Sequence, residues 1–252
     1  MPAWRLDGRD CTINHLDVGA RYASEDFVGH AVLCLAEPPK TVNVNSAMIA
    51  TIHMGPPLEA GSQSLDIIGT AFLESDTLAL SARRQIKVFV DDRLSERKAQ
   101  ESRLSRLRPL ERCLAEYIIH PSCREPDADV SLWRFNCAGF VLRAYEEADI
   151  QLIDANSLPS VSLELLKRAY PRYGKLLDHA EYRGKLGLTN GEAWPVLLVG
   201  YVVNSLNRSP DVIRSERFVV KPGDEFFPSK SHGSQVADKP IVPGSASTPS
   251  AW

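Results

Sequence analysis

The chain has no apolar run of membrane-spanning length. Its longest, Trp194-Pro-Val-Leu-Leu-Val-Gly-Tyr-Val-Val203, falls far short of the roughly 20 residues a spanning helix requires, so no membrane span is expected. The N-terminal segment Met1-Pro-Ala-Trp-Arg-Leu-Asp-Gly-Arg-Asp10 lacks the apolar stretch of about 7–15 residues that marks a signal peptide, and neither end carries a lipidation signal. A cytoplasmic location is expected, although leaderless export would leave no mark in the sequence. There is no Cys-x-x-Cys pair. The cysteines Cys11, Cys34, Cys113, Cys123 and Cys137 are odd in number and widely spaced, which argues against a disulfide framework, a zinc ribbon or a thioredoxin-type site. Excess positive charge is missing too. Lys and Arg total 29 against 32 Asp and Glu, a net charge of −3, and this excludes a protein that is basic overall, as many nucleic-acid binders are. No internal repeat is present. Residues 229–252 hold few large apolar side chains (Val236, Ile241, Val242 and Trp252), and their Ser, Pro, Gly and Lys content predicts a disordered tail.

The remaining chain has an ordinary globular composition, 44% hydrophobic and 24% charged, and is long enough to bury a core without covalent staples. One domain over 1–228 is expected. Runs of β-compatible residues bounded by Pro and Gly predict strands at 28–35, 47–53, 65–73 and 85–90, joined in an antiparallel sheet. Residues 93–119 change to a charged helical pattern, with Leu94, Leu104, Leu107, Leu110 and Leu114 at helix-compatible intervals. Between Arg83 and Arg112, ten Lys and Arg oppose five Asp and Glu, a local charge of +5. That stretch is a solvated helix face or a docking site for an acidic protein partner or a membrane surface. Phe89 is its single aromatic residue, so nucleic-acid stacking is not expected. Residues 136–148 predict an amphipathic helix with Phe140, Val141, Ala144, Tyr145 and Ala148 on the inner face. Helical segments are expected at 162–170 and 173–182, a helix or strand at 193–203, and a short strand at 217–220 closed by the turn Lys221-Pro-Gly-Asp224.

Cys137 stands apart from the other thiols, in Trp133-Arg-Phe-Asn-Cys-Ala-Gly-Phe-Val-Leu142 at the start of the amphipathic helix. Unpaired N–H groups and the positive end of the helix dipole lie there. They are expected to stabilise a thiolate and lower the pKa below that of a free thiol. Asn136 is a suitable N-cap. Ala138 and Gly139 are expected to leave room for a substrate, and the Cys137 N–H to contribute to an oxyanion hole. Trp133 and Phe135 suit either a cleft wall or the core. The alternative is an ordinary buried thiol, or a redox sensor with Cys34 or Cys123 as the resolving partner.

The run Asn-Cys-Ala-Gly-Phe-Val followed by Ala-Tyr-Glu-Glu-Ala-Asp-Ile resembles the nucleophile helix of the NlpC/P60 superfamily of papain-like cysteine hydrolases. The usual form there is Asp-Cys-Ser-Gly-Phe-Val, so Asn136 stands for Asp and Ala138 for Ser; the likeness covers residues 133–153. A cysteine hydrolase also needs a base for the thiol proton. Downstream, His179 lies in a helical pattern and His232 in the tail, and neither suits the role. Upstream, His30 opens the apolar strand Gly29-His-Ala-Val-Leu-Cys-Leu35. A His strand before an Asn-Cys helix resembles the circularly permuted branch of the superfamily, which includes lecithin:retinol acyltransferase-like enzymes and PPPDE peptidases. In that branch the residue that orients the imidazole comes from the next strand, which makes His53 the first candidate. Asp91 or Asp92, after the segment 85–90, is the second. A metal group of His30, Cys34 and His53 is a further arrangement to weigh, although structural zinc generally takes four ligands.

The resemblance implies an α+β, papain-like fold, with a nucleophile helix packed on a small antiparallel sheet in permuted order. The catalytic elements would lie at about 26–153, and residues 154–228 would add helices and a strand. It implies nucleophilic acyl transfer by Cys137 with His30 as base, on a peptide or isopeptide substrate, with lipid acyl transfer as the alternative. No metal or cofactor is expected. A non-catalytic interaction protein using the basic 83–112 segment is the competing class.

Overall fold

The computed structural model describes residues 4–5, 10–24, 27–36, 40–43, 48–69, 76–127, 131–189 and 191–227. The fold is mixed α+β. Strands β1 (Trp4–Arg5), β2 (Asp10–Ile13), β3 (Val18–Tyr22), β4 (Val28–Cys34), β5 (Lys40–Asn43), β6 (Ile49–Met54), β7 (Leu58–Gln63) and β8 (Ile67–Gly69) come first in the chain. Six of them form one antiparallel sheet in the order β1-β8-β3-β4-β6-β7, while β2 and β5 pair separately. The expected strand at 28–35 is β4, the one at 47–53 is β6, and β8 falls within 65–73; residues 70–75 and the tail expected at 229–252 lie outside the described residues.

Helix α1 (Asp76–Ala99) runs straight through Gln85–Val90, where a strand is predicted. The alternation of Ile86, Val88 and Val90 suggests period two, but Val88 is 60% exposed while Phe89 is buried. The buried set is Ala82, Ile86, Phe89 and Val90, the spacing of a helix face. Six residues are too few to separate the two periods, and the helix-forming sequence on both sides decides. Short helices α2 (Glu101–Leu104) and α3 (Pro109–Glu116) follow, then a two-stranded ribbon of β9 (Cys123–Arg124) and β10 (Arg134–Phe135).

Helix α4 (Cys137–Glu146) is the central element, and it buries Phe140, Val141, Ala144 and Tyr145 as expected; Ala148, also buried, lies in the turn just past its end. The outward Arg143 instead pairs with Glu146 and Glu147. Strand β4 alternates beneath it: Ala31 and Leu33 join the large core with α4, whereas Val32 and Cys34 point to a second cluster with Ile13, Ile49 and Ile68. Trp133 and Phe135 stack at 5.5 Å and crowd Phe89, so they belong to the core and not to the wall beside Cys137.

The C-terminal part adds β11 (Val161–Ser162), α5 (Leu163–Ala169), α6 (Gly174–Leu177), α7 (Ala180–Lys185), β12 (Ala193–Trp194), α8 (Val199–Leu206) and α9 (Pro210–Ser215). The helix expected at 173–182 is broken into α6 and α7, behind a 3-10 turn at Pro171–Tyr173. The apolar run at 193–203 divides into β12 and α8. No strand forms at 217–220; Phe218 makes a lone parallel bridge to Ile153. No helix among the described residues is long and apolar enough to cross a membrane.

Candidate active site

Cys137 is placed by its neighbour. The Asn136 carbonyl oxygen Oδ1 accepts from the Gly139 N–H at 2.6 Å, capping α4, and its Nδ2 donates to the Ile119 carbonyl at 3.0 Å. The Asn136 N–H meets the Ser122 carbonyl. One buried amide thus fixes both the helix start and the loop 119–122. An aspartate could cap the helix but could not donate to Ile119. Gly139 serves the same junction. A Cβ there would lie 2.0 Å from the Ser122 carbonyl oxygen, so the space left by Ala138-Gly139 is filled by the protein's own backbone and not held open for substrate.

Sheet geometry delivers the histidines. Cys34 N–H bonds toward Asp17 beside β3, and Leu35 N–H bonds to Ala50 of β6. Alternation therefore turns the Ala31 N–H to the β6 side, beyond the last ladder partners Leu33 and Ile52. There it faces the Cys137 sulfur, which the N–H groups of Ala31, Ala138 and Cys137 itself all favour in ionised form. The β3–β4 register slips between Arg21 and Tyr22, immediately beside His30, an irregularity of the kind that re-aims side chains. His30 Nε2 and His53 Nδ1 lie 3.2 Å apart with their rings edge to face. His53 Nε2 in turn lies 3.8 Å from Glu59 Oε1 on β7, its register partner across the hairpin.

Cys137, His30 and His53 line one cavity of about 470 Å³, together with Glu59, Arg21, Arg172 and the tyrosines Tyr117, Tyr170 and Tyr173. The candidates drawn from the sequence thus converge, apart from the two aspartates. Asp91 and Asp92 are exposed on α1, and Asp91 holds Lys87; they would suit the role only if 85–90 were a strand. His179 stands at the N-terminus of α7, away from the cavity. Cys34 lies in the second core cluster, so it joins neither a metal group with His30 and His53 nor a redox pair facing the cavity. Among the described residues no group of three potential metal ligands occurs. In the basic segment, Arg83, Lys87, Arg93, Arg97, Arg108 and Arg112 are ion-paired within the fold. That leaves less free charge for an acidic partner than the sequence suggests.

Glu59 and Arg21 were not legible as site residues. Neither β3 nor β7 follows a strong apolar alternation, and only pairing to β4 and β6 brings them to the cavity.

The protonation states correct a second expectation. Burial pushes the Cys137 thiol above the ordinary range, outweighing the three backbone N–H groups that favour the thiolate. Burial also lowers His30, with His53, Arg21 and Arg172 adding to the effect, to about 3. Burial lowers His53 against the opposing pull of Glu59. The resting pair is neutral thiol and neutral imidazole, not thiolate and imidazolium. Since His30 must discharge to fold, the stability this supplies is complete above its ordinary value of 6.5 and is lost as pH falls from there toward about 3. Thermal melts across this window are expected to show stability falling by up to about 1.4 kcal/mol per pH unit for one proton. The slope should be shallower in His30→Asn, and equal slopes in the two proteins would refute the assignment.

Gly55 adds a packing constraint. A Cβ at this position would stand 2.9 Å from His53 Nδ1, the atom that meets His30. Gly55→Ala is therefore expected to separate the rings without unfolding the sheet. Nitrogen-detected NMR of the imidazoles should report loss of the His30–His53 bond beside an unchanged circular dichroism spectrum.

No family model, curated protein or solved structure matches the chain.

Proposed function

We propose that the protein is a cysteine hydrolase with a papain-like arrangement in permuted order, cleaving an amide or isopeptide bond through a thioester on Cys137. The observation that carries this reading is the meeting, in one cavity, of a thiol on the first turn of a buried helix with a hydrogen-bonded pair of histidines. With His30 Nε2 committed to His53, Nδ1 of His30 is the nitrogen left for the thiol proton.

Because the resting pair is neutral, proton transfer accompanies attack. The Cys137 sulfur forms a bond to the substrate carbonyl carbon as its proton passes to His30. The imidazolium is balanced by the developing oxyanion and, through His53, by Glu59. The Cys137 N–H is the backbone donor to that oxyanion. The Tyr170 hydroxyl, buried and without a hydrogen-bond partner among the described residues, is a side-chain donor on the same cavity. Burial holds its pKa well above the usual phenol value, so it keeps its proton. Collapse breaks the carbon–nitrogen bond, and His30 returns the proton to the leaving amine. Water then attacks the thioester and gives a proton to His30, which passes it to the departing Cys137 sulfur.

The test is acylation by p-nitrophenyl esters, read by intact mass and peptide mapping. An adduct on Cys137 that forms faster than on the other thiols, and then turns over with water, is the expected result. An unreactive Cys137 in the folded protein would overturn the reading. Added amines that intercept the thioester would redirect it from hydrolysis to acyl transfer.

A further inference from the structure

Among the described residues, three charged side chains line the cavity: Arg21, Arg172 and Glu59. Glu59 already serves His53. Arg21 lies directly across from His30 in the β3–β4 register, so its side chain leaves the sheet on the same side. Arg172 approaches from the 3-10 turn at Pro171–Tyr173 on another wall. Both arginines are exposed at the cavity, and neither guanidinium has an ion-pair partner among the described residues. Summed over the described residues that line it, the cavity carries a net positive charge on a chain whose overall charge is −3.

We infer that the substrate acyl group carries a carboxylate, held between Arg21 and Arg172 while its carbonyl lies at Cys137. The inference rests on the cysteine-hydrolase reading and names its substrate class. Guanidinium groups suit this task because their planar donors match a carboxylate in two-point contact. Both arginines also act on the titration of His30 and His53, which places their charge within range of the reacting groups. An anionic substrate would offset that field, raise the basicity of His30 on binding, and so prepare the base only when the correct ligand is present.

The experiment compares mono-p-nitrophenyl succinate with p-nitrophenyl butyrate, matched in length and differing in the terminal carboxylate. With each rate taken relative to acylation of free cysteine under the same conditions, which discounts the succinic anhydride the probe forms from its own ester, the succinate probe is expected to acylate Cys137 at least 10-fold faster. That ratio should fall toward one in Arg21→Gln/Arg172→Gln and shrink with added salt. Arg217→Gln, the same charge loss away from the cavity, should retain it. A companion measurement follows succinamic acid and neutral succinamide by ligand-observed NMR on Cys137→Ala, where no chemistry occurs. Equal acylation by both esters, or a preference that survives the double variant, overturns the anion site and leaves the hydrolase reading standing. Arginine-dependent binding of succinamic acid without any acylation of Cys137 overturns the hydrolase reading and retains the anion site. Neither binding nor acylation overturns both.

Discussion

His30→Asn is expected to slow acylation of Cys137 by about 10²–10⁴-fold, the usual contribution of a positioned general base. The reason lies in the starting state. A thiol held above its ordinary pKa by burial contributes almost no thiolate at neutral pH, so attack needs a base that takes the proton during bond formation. His30 lines the same cavity, and its second nitrogen is fixed by His53. His53→Ala should cost less, since His30 stays on the cavity wall with Cys137 and loses only its orienting partner. Combining the two should add little to His30→Asn, because the pair acts as a unit. Iodoacetamide supplies a contrast. Alkylation of Cys137 in the empty site is expected to remain slow at neutral pH and to rise only above the ordinary thiol range. The acylation rate, which depends on His30, should be substantial well below that pH. Rapid alkylation of Cys137 near pH 7 would show that a thiolate–imidazolium pair already exists, contrary to the neutral resting pair.

Asn136→Ala is expected to be among the most damaging single changes to stability. It removes the cap on the Gly139 N–H, which costs about 1 kcal/mol. It also leaves the Ile119 carbonyl without its side-chain donor in a buried setting, about 1–3 kcal/mol more. A total of about 2–4 kcal/mol should lower the melting temperature by roughly 5–15 °C for a domain of this size. Asn136→Asp should fall between wild type and alanine, keeping an acceptor for Gly139 while turning a negative charge toward the Ile119 oxygen. Gly139→Ala tests the same junction from the other side. Its Cβ would meet the Ser122 backbone 2.0 Å away, where no side chain can rotate aside, so the loop must move or α4 must shift. Melting curves that differ by less than 2 °C from wild type for both Asn136→Ala and Gly139→Ala would contradict this account of the junction.

Local pattern alone determined several parts of this protein. The amphipathic helix after Asn136 has a strong 3.6-residue period over more than two turns. It therefore placed Cys137 on a first turn and named the buried residues. Strand β4 was legible from its apolar run, which brought His30 forward as the candidate base. Both are short-range signals, carried by side chains a few positions apart. The tertiary structure decided what depends on neighbours distant in the chain. It paired β6 with β4 so that His53 meets His30, and β7 with β6 so that Glu59 meets His53. It turned Gln85–Val90 into helix and so removed Asp91 and Asp92 from the site. It filled the space at Gly139 with backbone. Above all, it reversed the expected sign at Cys137. The helix dipole and its N–H groups can be read from sequence, but the desolvation that opposes them comes from the whole of the packed core, and here desolvation is the larger effect.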